Sequence, residues 1–494
     1  MIARSVESVC NFISGEFREP KSAAGVDVVN PATGQLLARS PEGAGEDVDA
    51  AVQAGLNAFP KWRATPAGER IQVLFRLKAL LDEKFEEIAR QVTTENGKTI
   101  GEARGEVRRG IENVEVACGI PLMMQGRTLE DIARGIDEIM VRQPLGVVAA
   151  ITPSNFPFMI PLWFLPYAIA CGNAFILKPS ERVPLSSLML AELLDKAGLP
   201  KGIVNVVQGG KSAVDALLDH PAVRAISFVG STPVAQYIYS RSSATGKRVQ
   251  CQGGAKNHVV IMPDADPETT TQIISDSAFG CAGQRCLAVS VAVTVGEARD
   301  WFRDSITKTA SSLKVGNGLD EKVQMGPVIS QVSKQRVEAL IQKGISEGGK
   351  PECDGRGIRV AGGENGSFVG PTVISGIPAT SELAETEIFG PVLSLVNAAS
   401  LDDAMQMIDR NPFGNQASIF TTSGASARKF RNGIQAGNVG VNIGVAAPMA
   451  YFPFSGWKAS FFGVQHAQSN DGVEFYTDKK VIVERWPKEW SRKF

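Results

Sequence analysis

Histidine is nearly absent from this chain. Only His220, His258 and His466 occur in 494 residues. They lie far apart with no i, i+4 pair, which excludes a multi-histidine zinc site. Acid–base or nucleophilic chemistry must therefore lean on Cys, Lys, Arg or carboxylates. The seven cysteines are Cys10, Cys118, Cys171, Cys251, Cys281, Cys286 and Cys353. Their odd number, scatter and lack of any C-x-x-C rule out a disulfide framework and read as reduced thiols in a cytosolic protein. An excess of charge is missing too: 51 basic side chains face 52 acidic ones, the net charge is -1, and there is no long basic run. The chain lacks the electrostatic footprint of a nucleic-acid binder, so small molecules are the expected partners.

A membrane-spanning run is the last absence. No charged residue occurs from Gln143 to Leu177, and a spanning helix needs about 20 apolar residues. This run, however, carries Pro144, Pro153, Pro157, Pro161 and Pro166, with Asn155 and Asn173. Prolines at that density break a helix, so no membrane segment is expected. The run reads instead as a buried strand (145–151), a polar-tipped loop (152–156), a short buried helix (161–171) and a second strand (174–177). Fully apolar strands are what a parallel sheet covered on both faces requires. The opening stretch MIARSVESVCNFISGEF has no apolar core for a signal peptide and is too acidic for a transit peptide, which points to the cytoplasm.

What is present is a globular composition, 44% hydrophobic and 21% charged, which excludes disorder. The length suits two or three domains. Extended pieces fill residues 1–45, and amphipathic helical patterns follow at 46–61, 66–90 and 99–117. Short apolar strands then alternate with helices, at 145–151, 174–177, 203–207 and 225–229. Beyond Gly253-Gly254 they recur at 258–262, 287–295, 392–396, 417–421 and 439–443. The expected fold is α/β, with two doubly wound lobes. Segments 126–143 and 472–486 fit neither lobe; the second carries the β-prone Glu474-Phe475-Tyr476-Thr477 and Val481-Ile482-Val483. Strands outside a lobe often pair across subunits.

The most informative stretch is Phe279-Gly280-Cys281-Ala282-Gly283-Gln284-Arg285-Cys286, which runs straight into a strand. The glycines let a backbone approach a ligand, and Arg285 would lower the thiol pKa, so Cys286 is the candidate nucleophile. Cys118, Cys171 and Cys281 read as structural. Asn155, in Thr152-Pro153-Ser154-Asn155-Phe156-Pro157, ends the first strand, where open α/β sheets bind ligands. Its amide either donates to an oxyanion or only forms a turn. Lys178-Pro179-Ser180-Glu181-Arg182 ends the second strand and either clasps a ribose or is a solvated loop. Gly230-Ser231-Thr232-Pro233-Val234-Ala235 opens a helix whose N-terminus suits phosphate, although there is no G-x-G-x-x-G.

NPATG, PLGVVAAITPSNFP, KPSE, ISFVGST, FGCAGQRC, GPV and EIFGPV occur in an order and spacing that resemble the aldehyde dehydrogenase superfamily across essentially the whole chain. MIPLWFLPYAIACGN, KPSERVP, DHPAVRAISFVGS, GKRVQ, GAKNHVVIMPDAD, AGQRC and GVEFYT look most like its CoA-acylating methylmalonate-semialdehyde dehydrogenases. The resemblance implies an NAD-binding domain (1–125 and 144–252), a catalytic domain (253–460) and a small β oligomerisation arm (126–143 and 461–494). It also implies a homo-oligomer, with a homotetramer favoured over a dimer.

By motif, Cys286 is the nucleophile, and Asn155 with the Cys286 backbone N–H forms the oxyanion hole. Lys178 and Glu181 would bind the adenosine ribose beside Arg182, with Thr152 and Ser154 lining the same cleft. Ser231 would meet the pyrophosphate, Glu387 the nicotinamide ribose and Phe389 the ring, with Gly253 alongside. Glu181 would repel a 2'-phosphate, so NAD is expected rather than NADP, and no metal is implied. Arg109 and Arg285 would grip a substrate carboxylate, whereas the residues alone read Arg108 and Arg109 as a solvated helix face.

Two departures stand out. Hydrolytic members carry a water-activating glutamate just before the Gly-Gly. In Gln250-Cys251-Gln252-Gly253-Gly254 that place reads as Cys251, a poor base, so CoA is the expected acyl acceptor. The Cys251 side chain either brings its sulfur near Cys286 for a reversible disulfide or, the favoured reading, is a small apolar filler. Ala235 replaces the last glycine of the helix-opening motif, which bears on the pyrophosphate approach. The implied reaction is NAD-dependent oxidation of methylmalonate or malonate semialdehyde to propionyl-CoA or acetyl-CoA with loss of CO2. The alternatives are a hydrolytic NAD-dependent aldehyde dehydrogenase giving a free acid, and a catalytically silent binding protein.

Overall fold

The apolar strands decide the architecture, because a strand buried on both faces needs helices above and below it. The computed structural model describes residues 9–22, 24–377 and 381–486. Val147–Ile151 (β1), Ala174–Lys178 (β2), Val204–Val206 (β3), Val223–Val229 (β4) and Arg248–Gln252 (β5) form the parallel centre of an eight-stranded sheet. Their order is β3-β2-β1-β4-β5, with every residue of β1 and β2 buried. Strand order reverses between β1 and β4, so the loops leaving these two strands diverge and open a crevice.

A second sheet carries Asn257–Ile261 (β6), Val289–Val295 (β7), Thr372–Ser375 (β8), Val392–Ala398 (β9), Gln416–Phe420 (β10) and Asn438–Val441 (β11). They are parallel in the order β8-β9-β7-β6-β10-β11. The two α/β sheets match the expected fold class.

The helices that matter for the site are Phe85–Asn96 (α1), Ile100–Ala117 (α2), Met159–Ala170 (α3), Thr232–Ser243 (α4), Pro267–Phe279 (α5), Gln331–Ser346 (α6) and Ser469–Tyr476 (α7). The predicted helix at 66–90 is two, broken at Lys84. α1 stops at Gly97, whose φ of 94° suits glycine, and a Cβ there would press on Pro31 and Pro327. α2 then starts with a capping box, Thr99 and Glu102 each bonding the other's backbone N–H. All of α3 is buried, as its lack of charge requires. Among the described residues no helix is long and apolar enough to cross a membrane.

The two segments that fitted neither lobe form a separate three-stranded sheet. Thr477–Arg485 pairs with Ile136–Pro144, which pairs with Arg127–Ala133. Leu129, Ile132, Val481 and Val483 are exposed on it. Of the strand expected at Glu474–Thr477, residues 474–476 are instead the end of α7 and only Thr477 is strand, and Phe461–Phe462 pairs with β5. Phe461–Phe462 lies on the first sheet and α7 packs on α3, so neither is part of the arm sheet. Burial of Phe475 and Tyr476 against α3, with Tyr476 Oη 2.7 Å from Ser227 Oγ, overrides the aromatic preference for strand. Residues 487–494, also expected in the arm, and 1–8 of the first domain lie outside the described residues.

Asn173 fastens the turn between α3 and β2. Its Oδ1 accepts from Gly146 N at 3.0 Å, and its Nδ2 donates to Ala168 O at 3.1 Å and Tyr476 O at 3.0 Å. Asn173→Ala leaves Gly146 N and Tyr476 O without these partners at about 1–3 kcal/mol each, while Ala168 O keeps the Asn173 backbone N–H. The expected result is markedly faster irreversible thermal inactivation, measured as residual activity after timed heating; an unchanged half-life contradicts this reading.

Candidate active site

The crevice between β1 and β4 opens into a cavity of about 840 Å³. Its wall brings together Thr152, Ser154 and Asn155 after β1, Lys178, Glu181 and Arg182 after β2, Ser231 after β4 and Gly253 after β5. Cys286, Glu387 and Phe389 complete it from the second lobe. The first-lobe residues share one wall because each follows a strand ending at the same edge, whereas Cys286 precedes β7, and Glu387 and Phe389 precede β9.

At the outer end Ser231 starts α4 without spending its side chain on a cap, and Pro233 stands in the first turn. A helix N-terminus left this way suits a phosphate. Ala235 is buried beneath the sheet with Ile238 and Val249, so its methyl packs helix against strand and leaves the phosphate approach clear. Lys178 Nζ lies 3.4 Å from Glu181 Oε2. Burial lowers the Lys178 pKa, and Glu181 opposes the shift.

At the inner end Glu387 Oε1 accepts from Ala255 N at 3.0 Å. Burial pushes the carboxyl up to about 7, opposed by that backbone bond, by Arg336 and by Lys256. Burial also brings Lys256 down to about 7, with Glu387 opposing. A Cβ on Gly254 would collide with the Glu387 carboxylate, which is why glycine stands there. Arg336 of α6 donates to Glu387 O at 2.7 Å and Ile388 O at 2.6 Å. It thereby holds Phe389 beside the cavity at φ 53°, a left-handed conformation costing about 1–3 kcal/mol for a non-glycine residue.

The nucleophile loop is equally constrained. Cys281, Ala282 and Gly283 are consecutive left-handed residues at φ 50°, 51° and 69°, and Cys281 N donates to Glu102 Oε1 at 2.5 Å. The Cys286 carbonyl accepts from Asn257 Nδ2 at 2.9 Å and Asn415 Nδ2 at 2.8 Å. Asn155 Nδ2 donates to Gln284 O at 3.0 Å, two residues before the half-buried thiol. Sequence reading missed Asn257, Asn415 and Arg336; the one sign of the two asparagines was a polar residue at the head of an otherwise apolar strand.

The expectation that Arg285 activates the thiol is corrected. Burial is the largest influence on Cys286 and the Glu387 carboxylate the next; together they push it up to about 12, with Arg285 and the backbone N–H groups only opposing. The Arg285 guanidinium turns back over Gly280, donating to Asp276 O at 2.6 Å and Gly280 O at 3.2 Å. Arg109 bonds Pro448 O and Met449 Sδ and lies 3.6 Å from Glu112 Oε2. Arg108, by contrast, is on the solvent face, paired with Glu115 at 2.7 Å.

Cys251 does not stand where water activation was expected. Side chains of a strand alternate, and Cys251 points into the core that holds Ile151, Phe228 and Ile238. Cys286 packs against the other core, with Trp163, Phe454 and Leu287, so Cys251 is the apolar filler of the favoured reading and its sulfur does not approach Cys286. Gln250, whose Nε2 donates to Ser227 Oγ at 3.0 Å, marks the face opposite to Cys251, and Gln252 shares it. Gln252 is 3% exposed, and neither its Oε1 nor its Nε2 has a partner. This amide immediately precedes Gly253 of the cavity wall.

A thiol set beside an amide donor, facing a cavity at the switch point of a doubly wound sheet, is an arrangement that suits covalent chemistry on a bound ligand. Residues 17–482 match the Aldehyde dehydrogenase family, and the chain belongs to it. It is 50% identical over 481 residues to malonate-semialdehyde dehydrogenase 2 of Geobacillus kaustophilus, covering 97% of this chain and 99% of that one. The crystal structure of methylmalonate-semialdehyde dehydrogenase from Oceanimonas doudoroffii superposes with a TM-score of 0.97 at 45% identity, covering 99% of this chain and 100% of that one. A provisionally assigned methylmalonate-semialdehyde dehydrogenase from Sinorhizobium meliloti 1021, complexed with NAD, gives 0.97 at 43%, covering 98% and 99%.

The thiol pKa carries a prediction. Only the thiolate is alkylated, so iodoacetamide labelling of Cys286 should rise about tenfold per pH unit from pH 7 to 9 without a plateau. Removing the second cause of the upward shift, in Glu387→Gln, should lower the thiol pKa and speed labelling above pH 7. Equal or slower labelling of that variant would show that Glu387 does not act on the thiol.

Proposed function

We propose that the chain oxidises methylmalonate or malonate semialdehyde with NAD and passes the acyl group from Cys286 to CoA. One observation carries the acyl-transfer part: next to the cavity wall, where hydrolysis needs a base, Gln252 offers a carboxamide that cannot take a proton. Near-full-length likeness to proteins that act on these two semialdehydes supports the substrate class. The cavity wall fits a dinucleotide, with Ser231 at a helix start, the Lys178–Glu181 pair for ribose hydroxyls and Glu387 at the inner end. Glu181 disfavours a 2'-phosphate. When bound there, NAD supplies the hydride acceptor.

The Cys286 thiolate adds to the aldehyde carbon. Asn155 has two amide hydrogens; one is engaged by Gln284 O, and the other, with the Cys286 N–H, receives the oxyanion. Loss of hydride leaves a thioester on Cys286. Its β-carboxylate departs as CO2 because the thioester carbonyl stabilises the carbanion, which then takes a proton. The CoA thiol displaces the Cys286 thiolate, giving propionyl-CoA or acetyl-CoA. Arg109 and Arg285 supply positive charge for the substrate carboxylate, each releasing a backbone carbonyl to do so.

The division into an NAD-binding domain, a catalytic domain and an arm belongs to the same reading. So does a homotetramer built through the exposed apolar residues of the arm sheet, working in the cytoplasm.

Initial rates of NADH formation over a panel of semialdehydes and uncharged aldehydes test the proposal. Sustained turnover should require CoA and favour the two acidic semialdehydes, and Gln252→Glu should add CoA-independent release of free acid. Equal rates of free-acid formation with and without CoA in the parent enzyme would overturn the CoA-dependent reading.

A further inference from the structure

α2 carries two carboxylates one turn apart, Glu102 and Glu106, and each holds a different catalytic loop. Glu106 Oε1 accepts from Phe158 N at 2.9 Å and Met159 N at 3.1 Å, while its Oε2 meets Lys98 Nζ at 2.5 Å. Lys98 Nζ also donates to Asn155 O at 2.7 Å and lies 4.0 Å above the Phe156 ring. Asn96 Nδ2 adds a bond to Ser154 O at 2.8 Å. The backbone from Ser154 to Met159 is therefore gripped at four residues by the α1–α2 turn and the first turns of α2. One turn back, Glu102 holds Cys281 N at 2.5 Å and closes the capping box of the same helix.

The side chains of Lys98 and Glu106 are 1% and 0% exposed, so no water substitutes for these bonds. A buried ion pair is in general no more stabilising than apolar residues of the same size. What apolar residues could not supply is the set of bonds to Asn155 O, Phe158 N and Met159 N, which tie the pair to the segment bearing Asn155.

We propose that Lys98 and Glu106 are positioning residues for the oxyanion donor Asn155, and that Glu102 positions the nucleophile loop from the same helix. α2 thereby sets the separation between the Asn155 amide and the Cys286 sulfur. The inference rests on the oxyanion role of Asn155. Displacing a reacting group by about 1 Å costs on the order of a hundredfold in rate, and deleting one oxyanion donor costs about a hundred- to a thousandfold.

A double-mutant cycle tests the claim, with the pre-steady-state NADH burst as the measure of acylation. Lys98→Gln should slow the burst by about tenfold or more while the KM values for semialdehyde and NAD change less than about twofold. In an Asn155→Ala background the same substitution should have almost no further effect, because the donor it positions is gone. Glu106→Gln keeps an acceptor oxygen for Phe158 and Met159 but loses the charge opposite Lys98, and it replaces Lys98→Gln in the cycle should that variant not fold. Equal slowing in both backgrounds, or no slowing, would overturn the positioning role. A normal burst in Asn155→Ala alone would overturn the oxyanion reading beneath it, and the two failures are distinguishable.

Discussion

The hydrogen bond from the Asn155 amide to the Gln284 carbonyl joins the loop that leaves the first sheet to the loop that enters the second. Each loop is bent away from regular structure and cannot set the distance alone. The Asn155 loop carries Pro153 and Pro157, and the Cys286 loop has three consecutive left-handed residues. Strained backbone persists only where its surroundings over-determine it. Here the surroundings are the carboxylates of α2, the amides of Asn257 and Asn415 on the Cys286 carbonyl, and the carbonyl grip of Arg336 on the loop of Glu387.

The electrostatic cost of this arrangement falls on the thiol. A sulfur in an apolar setting near a carboxylate is held in its neutral form. The burial around Cys286 thus disfavours the thiolate that the proposed reaction needs. The Gln252 amide takes its meaning from the proposed reaction, in which a buried group without a proton-accepting function leaves the acyl carbon to a thiol brought in from outside.

Much of this was legible in the residues. Uncharged runs gave β1, α3 and β2, and the polar interruptions between them marked the ligand-binding edge. Glycines and an arginine before a strand singled out Cys286. The failures share a cause, which is that direction and depth are not written in a single segment. Cys251 and Gln252 are neighbours, and a one-residue choice of face decides which of them enters the apolar core of the first sheet. Glu106 falls within the amphipathic pattern at 99–117, and only the structure shows that it and Lys98, in the turn before α2, are buried. Arg285 reads as the activator of its neighbour until burial, and then Glu387 brought in from a distant segment, outweigh it. Phe475 and Tyr476 favour strand in isolation and form helix because a core receives them.

The central claim is a thioacyl enzyme on Cys286 that waits for CoA. Mixing the protein with NAD and malonate semialdehyde in the absence of CoA, quenching in acid and mapping peptides by mass spectrometry tests it most directly. The expected result is one NADH per site and a persistent acetyl group on the Cys286 peptide, lost on addition of CoA as acetyl-CoA appears. Continued NADH formation with an unmodified Cys286, or an acyl group on another residue, would contradict it.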